Sequence, residues 1–234
     1  MHATPRAPLL VWLGGGCFVA SLAYFAFTFY VRLGRLVPDG PWLAPVLIDL
    51  ALFGVFALHH SLLARSGAKK WLTRHVPPRL ERSLYVWVAS LLFIGVCASW
   101  QDVPGEAYRH TGLLAVPHWL AVALGVWLTA RSTGVIDPLE LAGIRQAAGA
   151  PGAPAGFRVV GPYHWVRHPI YLGWFLLVFG VPHMTATRLA FAAISSAYLV
   201  VAIPFEERSL VETFRDDYRR YQQAVRWRLI PGLW

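Results

Sequence analysis

Six stretches of the sequence are apolar enough to suit a lipid bilayer, and they constrain the fold more than any other feature. They lie near residues 9–31, 43–63, 83–100, 113–132, 168–184 and 187–204. A membrane-spanning helix needs about 20 predominantly apolar residues, and the first four stretches meet this requirement clearly. The last two are short and carry Pro182 and Pro204 at or near their ends, so they could instead form one tight hairpin. The sequence therefore predicts an all-α, polytopic transmembrane helix bundle with five or six spans.

The composition supports a membrane protein and argues against a soluble or disordered chain. Of the 234 residues, 56% are hydrophobic and 14% are charged, against about 25% charged residues in soluble domains. The 11 Trp, 13 Phe and 9 Tyr exclude disorder. Cys17 and Cys97 show neither a CxxC motif nor metal-ligand spacing, so we expect no disulfide framework and no metal site.

The positive charges predict the orientation in the membrane. If the spans alternate, 17 of the 21 Lys and Arg residues fall on one side, and cytoplasmic loops carry such an excess. We therefore expect both termini to face the cytoplasm. The net charge of +9 then marks a cytoplasmic rim on anionic lipid, with no nucleic-acid partner.

A linker rich in Gly, Pro and Ala over residues 148–157 predicts two parts. Residues 1–147 would form an N-terminal transmembrane part with four spans. Residues 148–234 would form a C-terminal part dense in polar residues, with a helical hairpin and a cytoplasmic amphipathic helix over 206–224. The spacing of apolar and aromatic positions in that helix places them on a single face: Leu210, Phe214, Tyr218 and Tyr221.

Residues 161–173, GPYHWVRHPIYLG, form the most informative segment. Pro169 suits the first turn of a helix, where its missing N–H has no cost. Arg167, His168 and free backbone N–H groups would then gather at a helix N-terminus, which favours an anionic ligand. The alternative from spacing alone is a basic interfacial anchor.

Two further segments follow. Glu206 and Glu207 stand where the last span is expected to end. Adjacent helical residues do not share a face, so we expect at most one of them in a given pocket, with Arg167 or a cationic ligand as partner. The alternative is a helix N-terminus favoured by negative charge. Residues 225–231, VRWRLIP, suit a basic and aromatic membrane anchor.

The order of these motifs, G-P-Y-x-x-V-R-H-P-x-Y-x-G, then E-E-x-x-L-x-x-x-F-x-x-x-Y-x-x-Y-x-x-x-V, then I-P, resembles the membrane methyltransferase superfamily. Its members include isoprenylcysteine carboxyl methyltransferases and phospholipid N-methyltransferases. The resemblance covers residues 157–231 and implies S-adenosylmethionine as methyl donor, held at the cytoplasmic face, with an acceptor that enters from the bilayer. It implies that residues 148–234 are the catalytic part, on the cofactor side, and that residues 1–147 are on the acceptor side. The implied cofactor-binding residues are Tyr163, Arg167, His168, Pro169, Tyr171, Gly173, Glu206, Glu207, Tyr218, Tyr221 and Arg226.

A narrower resemblance covers more of the chain. His60-Ser61-x-x-x-Arg65, the segment from Pro78 to Leu91 and Trp100-Gln101 are similar to bacterial methanethiol S-methyltransferases and to the related NnrU-type membrane proteins. It implies a small or lipophilic thiol as acceptor and an inner-membrane location with a cytoplasmic active site. Ile203-Pro204-Phe205 stands where the isoprenylcysteine enzymes carry an Arg, which argues against their carboxylate substrate.

The acceptor determines which residues could carry the chemistry. A thiol is mostly protonated near pH 7 and reacts as its thiolate, so a base or a cation near the thiol would promote an in-line SN2 displacement. The candidates are His59, His60, Arg65, Arg167 and His168. Two other classes stay open: an NADPH-dependent sterol-type reductase, and a non-catalytic assembly protein that holds haem or metal through His59 and His60.

Overall fold

The computed structural model describes residues 9–63, 71–136, 138–148 and 157–234. Its main helices, numbered in chain order, are α1 (Leu9–Phe27), α2 (Leu43–Leu63), α3 (Glu81–Ser99), α4 (Val116–Thr133), α5 (Pro138–Leu141), α6 (Ile144–Ala147), α7 (Pro169–Phe179), α8 (Ala186–Phe214) and α9 (Asp216–Ala224). Five helical segments are long and apolar enough to cross a membrane, namely Leu9–Arg32, Leu43–Leu63, Pro78–Ser99, Gly112–Thr133 and Ala186–Phe214. These segments confirm the predicted integral membrane helix bundle.

The fifth apolar stretch of the sequence forms a helix that is shorter than a full membrane span. It folds as α7, which has 11 residues and is therefore roughly 16 Å long. The hydrocarbon core of a bilayer is about 30 Å thick. Among the described residues, the helices that could span the membrane number five, and α7 is a short apolar helix beside them.

The helix that contains the last apolar stretch does not end near Pro204, and the prediction of a single helix over 206–224 is wrong. α8 continues for 29 residues with Pro204 inside it. Ile203 and Glu207, one turn apart, are both buried, and this packing holds the helix together although proline removes one backbone hydrogen bond. The helix breaks later, at Arg215, whose φ is 51° and ψ is −121°.

The described residues divide into two compact units. The first lies within Met1–Arg35, Pro41–Asp102 and Asp137–Pro154, and in it α1 and α2 both pack on α3. Its polar contacts tie helix ends together. Arg32, after α1, donates to the carbonyls of Cys97, Ala98 and Trp100 at the end of α3.

Asp49 is a fully buried acid in α2 of this first unit. Its Oδ1 accepts a hydrogen bond from the backbone N–H of Gln101 at 2.8 Å. Polar residues inside a span usually face the bundle and find a partner, and for Asp49 this partner is backbone just after α3.

The second unit contains Leu36–Gly40, Val103–Ile136 and Ala155–Trp234. Its centre is α7 packed along α4, with α8 beside α7. Gly125 of α4 and Gly173 of α7 face each other, because a Cβ built on Gly125 would lie 2.8 Å from the Gly173 carbonyl oxygen. The packing therefore places α4 with the C-terminal helices. The predicted division into an acceptor-side part, 1–147, and a catalytic part, 148–234, stays a prediction about function.

A two-stranded antiparallel ribbon closes one end of the second unit. Strand β1 (Glu106–Arg109) pairs with β2 (His183–Thr185), which joins α7 to α8. The Thr185 side chain caps α8 by accepting a hydrogen bond from Arg188 N–H. This end of the unit is opposite the start of α7, because β2 follows the end of that helix. The ribbon is a small addition to the predicted all-α architecture.

Candidate functional site

The Glu207 carboxylate lies at the centre of a buried network where α7 begins. Its Oε1 accepts a hydrogen bond from Arg167 Nε at 2.6 Å and lies 3.3 Å from His168 Nε2. Its Oε2 accepts from Arg228 Nε at 3.2 Å and from Gln222 Nε2 at 3.4 Å. The side chains of Arg167, His168 and Glu207 are 7%, 4% and 5% exposed. Glu207 thus joins α7, α8, α9 and the C-terminal segment through a single carboxylate.

The backbone at the start of α7 is occupied by the chain itself. Pro169 begins the helix as expected. The N–H groups of Arg167 and His168 donate to the carbonyls of Trp227 and Arg228, both at 2.9 Å. The N–H groups of Arg167 and His168 are therefore not available to an anion, because the C-terminal residues pair with them.

Glu206 lies at the exposed edge of the same network. Its Oε2 accepts a hydrogen bond from the Tyr171 hydroxyl at 2.7 Å and lies 3.6 Å from His168 Nδ1. The imidazole stacks on the Tyr171 ring, with centroids 5.4 Å apart. We expected at most one of the two acids in a given pocket, but Glu206 and Glu207 both reach His168. They can do so because the imidazole presents a nitrogen to each.

An aromatic cluster lies beside this network. Tyr218, Tyr221 and Val225 are buried in it, and it also contains Phe157, Val159, Tyr163, Leu210, Val211 and Phe214. The predicted apolar face of 206–224 is thus brought together across the break at Arg215. The Tyr221 hydroxyl donates to the Tyr163 carbonyl at 2.7 Å. Burial and the nearby Glu206 raise the pKa of Tyr163 to about 12, and burial also raises the pKa of Tyr218 and of Tyr221.

The remaining predicted residues of this part have different surroundings. Gly173 packs against α4, where a Cβ would meet Thr129 and, at 3.0 Å, the Gly125 carbonyl oxygen. The Arg226 side chain is exposed, and only its carbonyl joins the network, accepting from Arg167 Nη1 at 3.0 Å. Arg228 and Gln222 contact Glu207 directly although sequence reasoning did not select them. In residues 225–231, no local sequence pattern indicates that Arg228, and not Arg226, contacts Glu207.

The first unit contains the other candidates. His60 Nδ1 lies 2.8 Å from the Tyr85 hydroxyl, and the His59 ring stacks on the Tyr85 ring with centroids 5.7 Å apart. The Arg82 guanidinium lies 5.5 Å from the same ring centroid. His60 and Tyr85 are therefore placed to exchange a proton. Arg65 lies outside the described residues.

A metal site is not formed by the described residues, which contain no group of three or more His, Cys, Asp or Glu side chains placed to hold an ion. His59 and His60 are the residues that the alternative of haem or metal binding would need. Each of the two rings contacts Tyr85.

Comparison with known proteins finds clear relatives. Methanethiol S-methyltransferase of Mycobacterium tuberculosis is 40% identical over 187 residues, which cover 77% of this chain and 76% of that protein. Methanethiol S-methyltransferase 1 of Bradyrhizobium diazoefficiens is 37% identical over 227 residues, or 91% of this chain and 79% of its own.

A more distant likeness is to Nurim of Xenopus laevis, 32% identical over 165 residues, which cover 65% of this chain and 58% of that protein. No family model matches the chain. No solved structure matches it either.

Proposed function

The chain belongs to the methanethiol S-methyltransferase family, and from this membership we propose that it transfers a methyl group to methanethiol or a similar small or lipophilic thiol. The observation that carries the proposal is identity of 40% and 37% to two such proteins over most of both chains. The acceptor requires no large pocket, since methanethiol has one carbon and one sulfur atom. It partitions into the bilayer, so five membrane-spanning segments suit its entry.

S-adenosylmethionine is the proposed methyl donor, and the site residues fit it. Its amino-acid end carries a carboxylate and an ammonium, and its ribose carries two hydroxyls. Glu206 offers a partly exposed carboxylate to the ammonium or the hydroxyls. Tyr163, which is partly exposed, offers an aromatic surface, and the buried Tyr218 and Tyr221 pack behind it. When bound, S-adenosylmethionine supplies an electrophilic methyl group for in-line displacement by the thiol sulfur.

Within this proposal the buried network holds the site in shape. Glu207 positions Arg167 and His168, and Pro169 and Gly173 set the start and the packing of α7. Tyr171 orients Glu206 through its hydroxyl, and the Arg226 carbonyl fixes Arg167. A network fixed in this way contributes through positioning and exclusion of water, which are major sources of rate in a methyl transfer.

The thiol proton must leave before or during transfer, because the thiolate is the nucleophile. We propose His60, hydrogen-bonded to Tyr85, as the group that takes this proton, and Arg65 as a cation that favours the thiolate. Arg167 and His168 are the second pair considered for this role. Their contacts with Glu207 leave them less available than His60.

The proposed location is the bacterial inner membrane, with both termini and the site in the cytoplasm. The charge count supports it with α7 as a sixth passage, because α7 leads from the site end of the second unit to its ribbon end and α8 returns. The second unit adds a further argument. Its site end carries Arg131, Arg158, Arg167, Arg208, Arg215, Arg219, Arg220, Arg226 and Arg228, whereas its ribbon end carries Arg109 and Arg188. Basic residues concentrate on the cytoplasmic side of membrane proteins.

The proposal is tested by ligand-dependent stability and by transfer of label. In the first experiment, purified protein in detergent is heated with S-adenosylmethionine, S-adenosylhomocysteine, NADPH or haem, and the midpoint of unfolding is measured. In the second, a fresh sample is incubated with methyl-labelled donor and a panel of thiols. We expect stabilisation by the two adenosyl compounds and label in the thioether product. Stabilisation by NADPH alone would favour a reductase, and a haem spectrum without transfer would favour an assembly protein.

A further inference from the structure

Arg167 is poorly placed to bind a ligand, although it is the arginine of the R-H-P motif. Its Nε is taken by Glu207 and its Nη1 by the carbonyls of Val225 and Arg226, at 2.8 and 3.0 Å. Its side chain is 7% exposed. A bidentate carboxylate contact through both Nη groups would require Arg167 to give up these two backbone carbonyls in a buried site, which is strongly unfavourable. Arg167 is therefore a positioning residue.

Arg228 is the other arginine that contacts Glu207, and its side chain is more exposed than that of Arg167. Its Nε donates to Glu207 Oε2 at 3.2 Å, while its guanidinium lies 5.4 Å from the Trp234 ring centroid. These two contacts fix the orientation of the side chain. Its Nη1 and Nη2 have no hydrogen-bond partner among the described residues, and the side chain is 36% exposed.

We propose that the Arg228 guanidinium binds the carboxylate of S-adenosylmethionine. The inference rests on the proposed function and assigns one contact within its site. A planar guanidinium with two outward N–H groups matches a carboxylate in bidentate geometry. Glu207 already holds the Nε edge, so the side chain is pre-organised and loses little rotamer freedom on binding. The exposed Arg226 side chain has no such anchor among the described residues.

The test compares how strongly two ligands, one with and one without the carboxylate, bind to the wild type and to arginine variants. Dissociation constants are measured by calorimetry for S-adenosylhomocysteine and for its decarboxylated analogue, S-adenosyl-3-thiopropylamine. The proteins compared are the full-length wild type, Arg228→Gln and Arg219→Gln. The last is a matched control, because Arg219 is an exposed arginine of α9 that pairs with Asp216.

The wild type and Arg219→Gln should prefer the carboxylate ligand by about 10-fold or more, as expected for a charge-assisted contact. Arg228→Gln should bind the decarboxylated analogue as the wild type does and lose the preference. Equal weakening of both ligands in Arg228→Gln would show a structural role and overturn the inference. An unchanged preference would overturn it as well.

Two further outcomes complete the test. If Arg228→Gln does not fold, Arg228→Lys replaces it, and its carboxylate preference should fall several-fold because lysine cannot bind in bidentate fashion. A preference equal to that of the wild type would count against Arg228. Failure of the wild type to bind either adenosyl ligand would contradict the proposed function itself, whereas binding without a role for Arg228 contradicts this inference alone.

Discussion

Arg167 Nε and Glu207 Oε1 are 2.6 Å apart, and both side chains are more than nine-tenths buried. This ion pair joins a residue just before α7 to the C-terminal third of α8, and the Arg167 Nη1 group extends it to two carbonyls that follow α9. The start of α7, α8 and the residues after α9 are therefore held together by one pair of charges. Its removal should affect folding first and ligand binding second.

Arg167→Met should destabilise the protein strongly, because it leaves Glu207 buried with a single, partly exposed arginine. Loss of one partner of a buried pair costs about 3–5 kcal/mol. The measurement is the free energy of unfolding in detergent, compared with Arg219→Met, which removes an exposed arginine and should change it by less than about 0.5 kcal/mol. Equal stability of the two variants would show that the ion pair does not hold the network.

Glu206→Gln should behave in the opposite way. Glu206 is 43% exposed, and glutamine can still accept the Tyr171 hydrogen bond, so the midpoint of thermal unfolding should stay close to that of the wild type. The loss of a charged partner for the ammonium or the ribose should raise the KM for the methyl donor by about 10-fold. Glu212→Gln, an exposed acid of the same helix, is the control. An unchanged KM for the donor would remove Glu206 from the site.

Gly125→Ala should destabilise the α4 and α7 pair. A Cβ at Gly125 would lie 2.8 Å from the Gly173 carbonyl oxygen and 3.0 Å from Leu176 Cβ, so the helices must move apart. Overpacking of this kind costs about 1–3 kcal/mol. Gly54→Ala is the matched control, since no described atom lies within 4 Å of its Cβ, and it should be neutral or stabilising by up to about 1 kcal/mol. The reverse order of stability would contradict close packing at Gly125.

Stability should fall above pH 10 through the aromatic cluster. Burial raises the pKa of Tyr163 to about 12, against about 10 in an unfolded chain. A raised pKa in the folded state gives stability that is complete below pH 10 and is lost as the pH rises towards 12. Unfolding midpoints from pH 8 to 11 measure this loss, and Tyr163→Phe should show a shallower decline. Parallel curves for the two proteins would mean that Tyr163 does not contribute.

His60→Gln should lower kcat for the thiol and leave donor binding unchanged, because the proposed role of His60 is to take the thiol proton. General bases typically contribute about 100-fold or more. The rate of the variant should recover partly at higher pH, where more of the free thiol is ionised, and a purely structural role would not produce this recovery. The exposed His75→Gln is the control. A wild-type pH profile for His60→Gln would assign the proton to another group.

The spanning segments and the fold class could be predicted because long apolar runs have few alternatives in a bilayer. The motif around Arg167, His168 and the paired acids predicted a membrane methyltransferase. The segments from His60 to Gln101 predicted the methanethiol S-methyltransferase family, which comparison with known proteins confirms. The pairing of Arg167 with Glu207 was one of the options that the sequence offered. Its residues lie 40 positions apart, so only the chemistry of opposite charges pointed to it.

Other parts of the site depend on contacts that no local pattern contains. The N–H groups of Arg167 and His168 find partners about 60 residues later, in Trp227 and Arg228. Likewise, Pro204 predicts a helix end because proline removes a backbone hydrogen bond. Burial of Ile203 and Glu207 stabilises the helix across this position. Tertiary packing determines both features. It also determines that Arg228, and not Arg226, donates a hydrogen bond to Glu207.

Methylation of methanethiol by this protein is tested by following one labelled methyl group from donor to product. Purified protein in detergent is given S-adenosylmethionine with a trideuterated methyl group and unlabelled methanethiol, and the volatile product is analysed by mass spectrometry. We expect dimethyl sulfide that contains one intact trideuterated methyl group, with one S-adenosylhomocysteine formed per product molecule. Consumption of the donor without labelled dimethyl sulfide, or no consumption by a folded protein, would show that the chain does not methylate methanethiol.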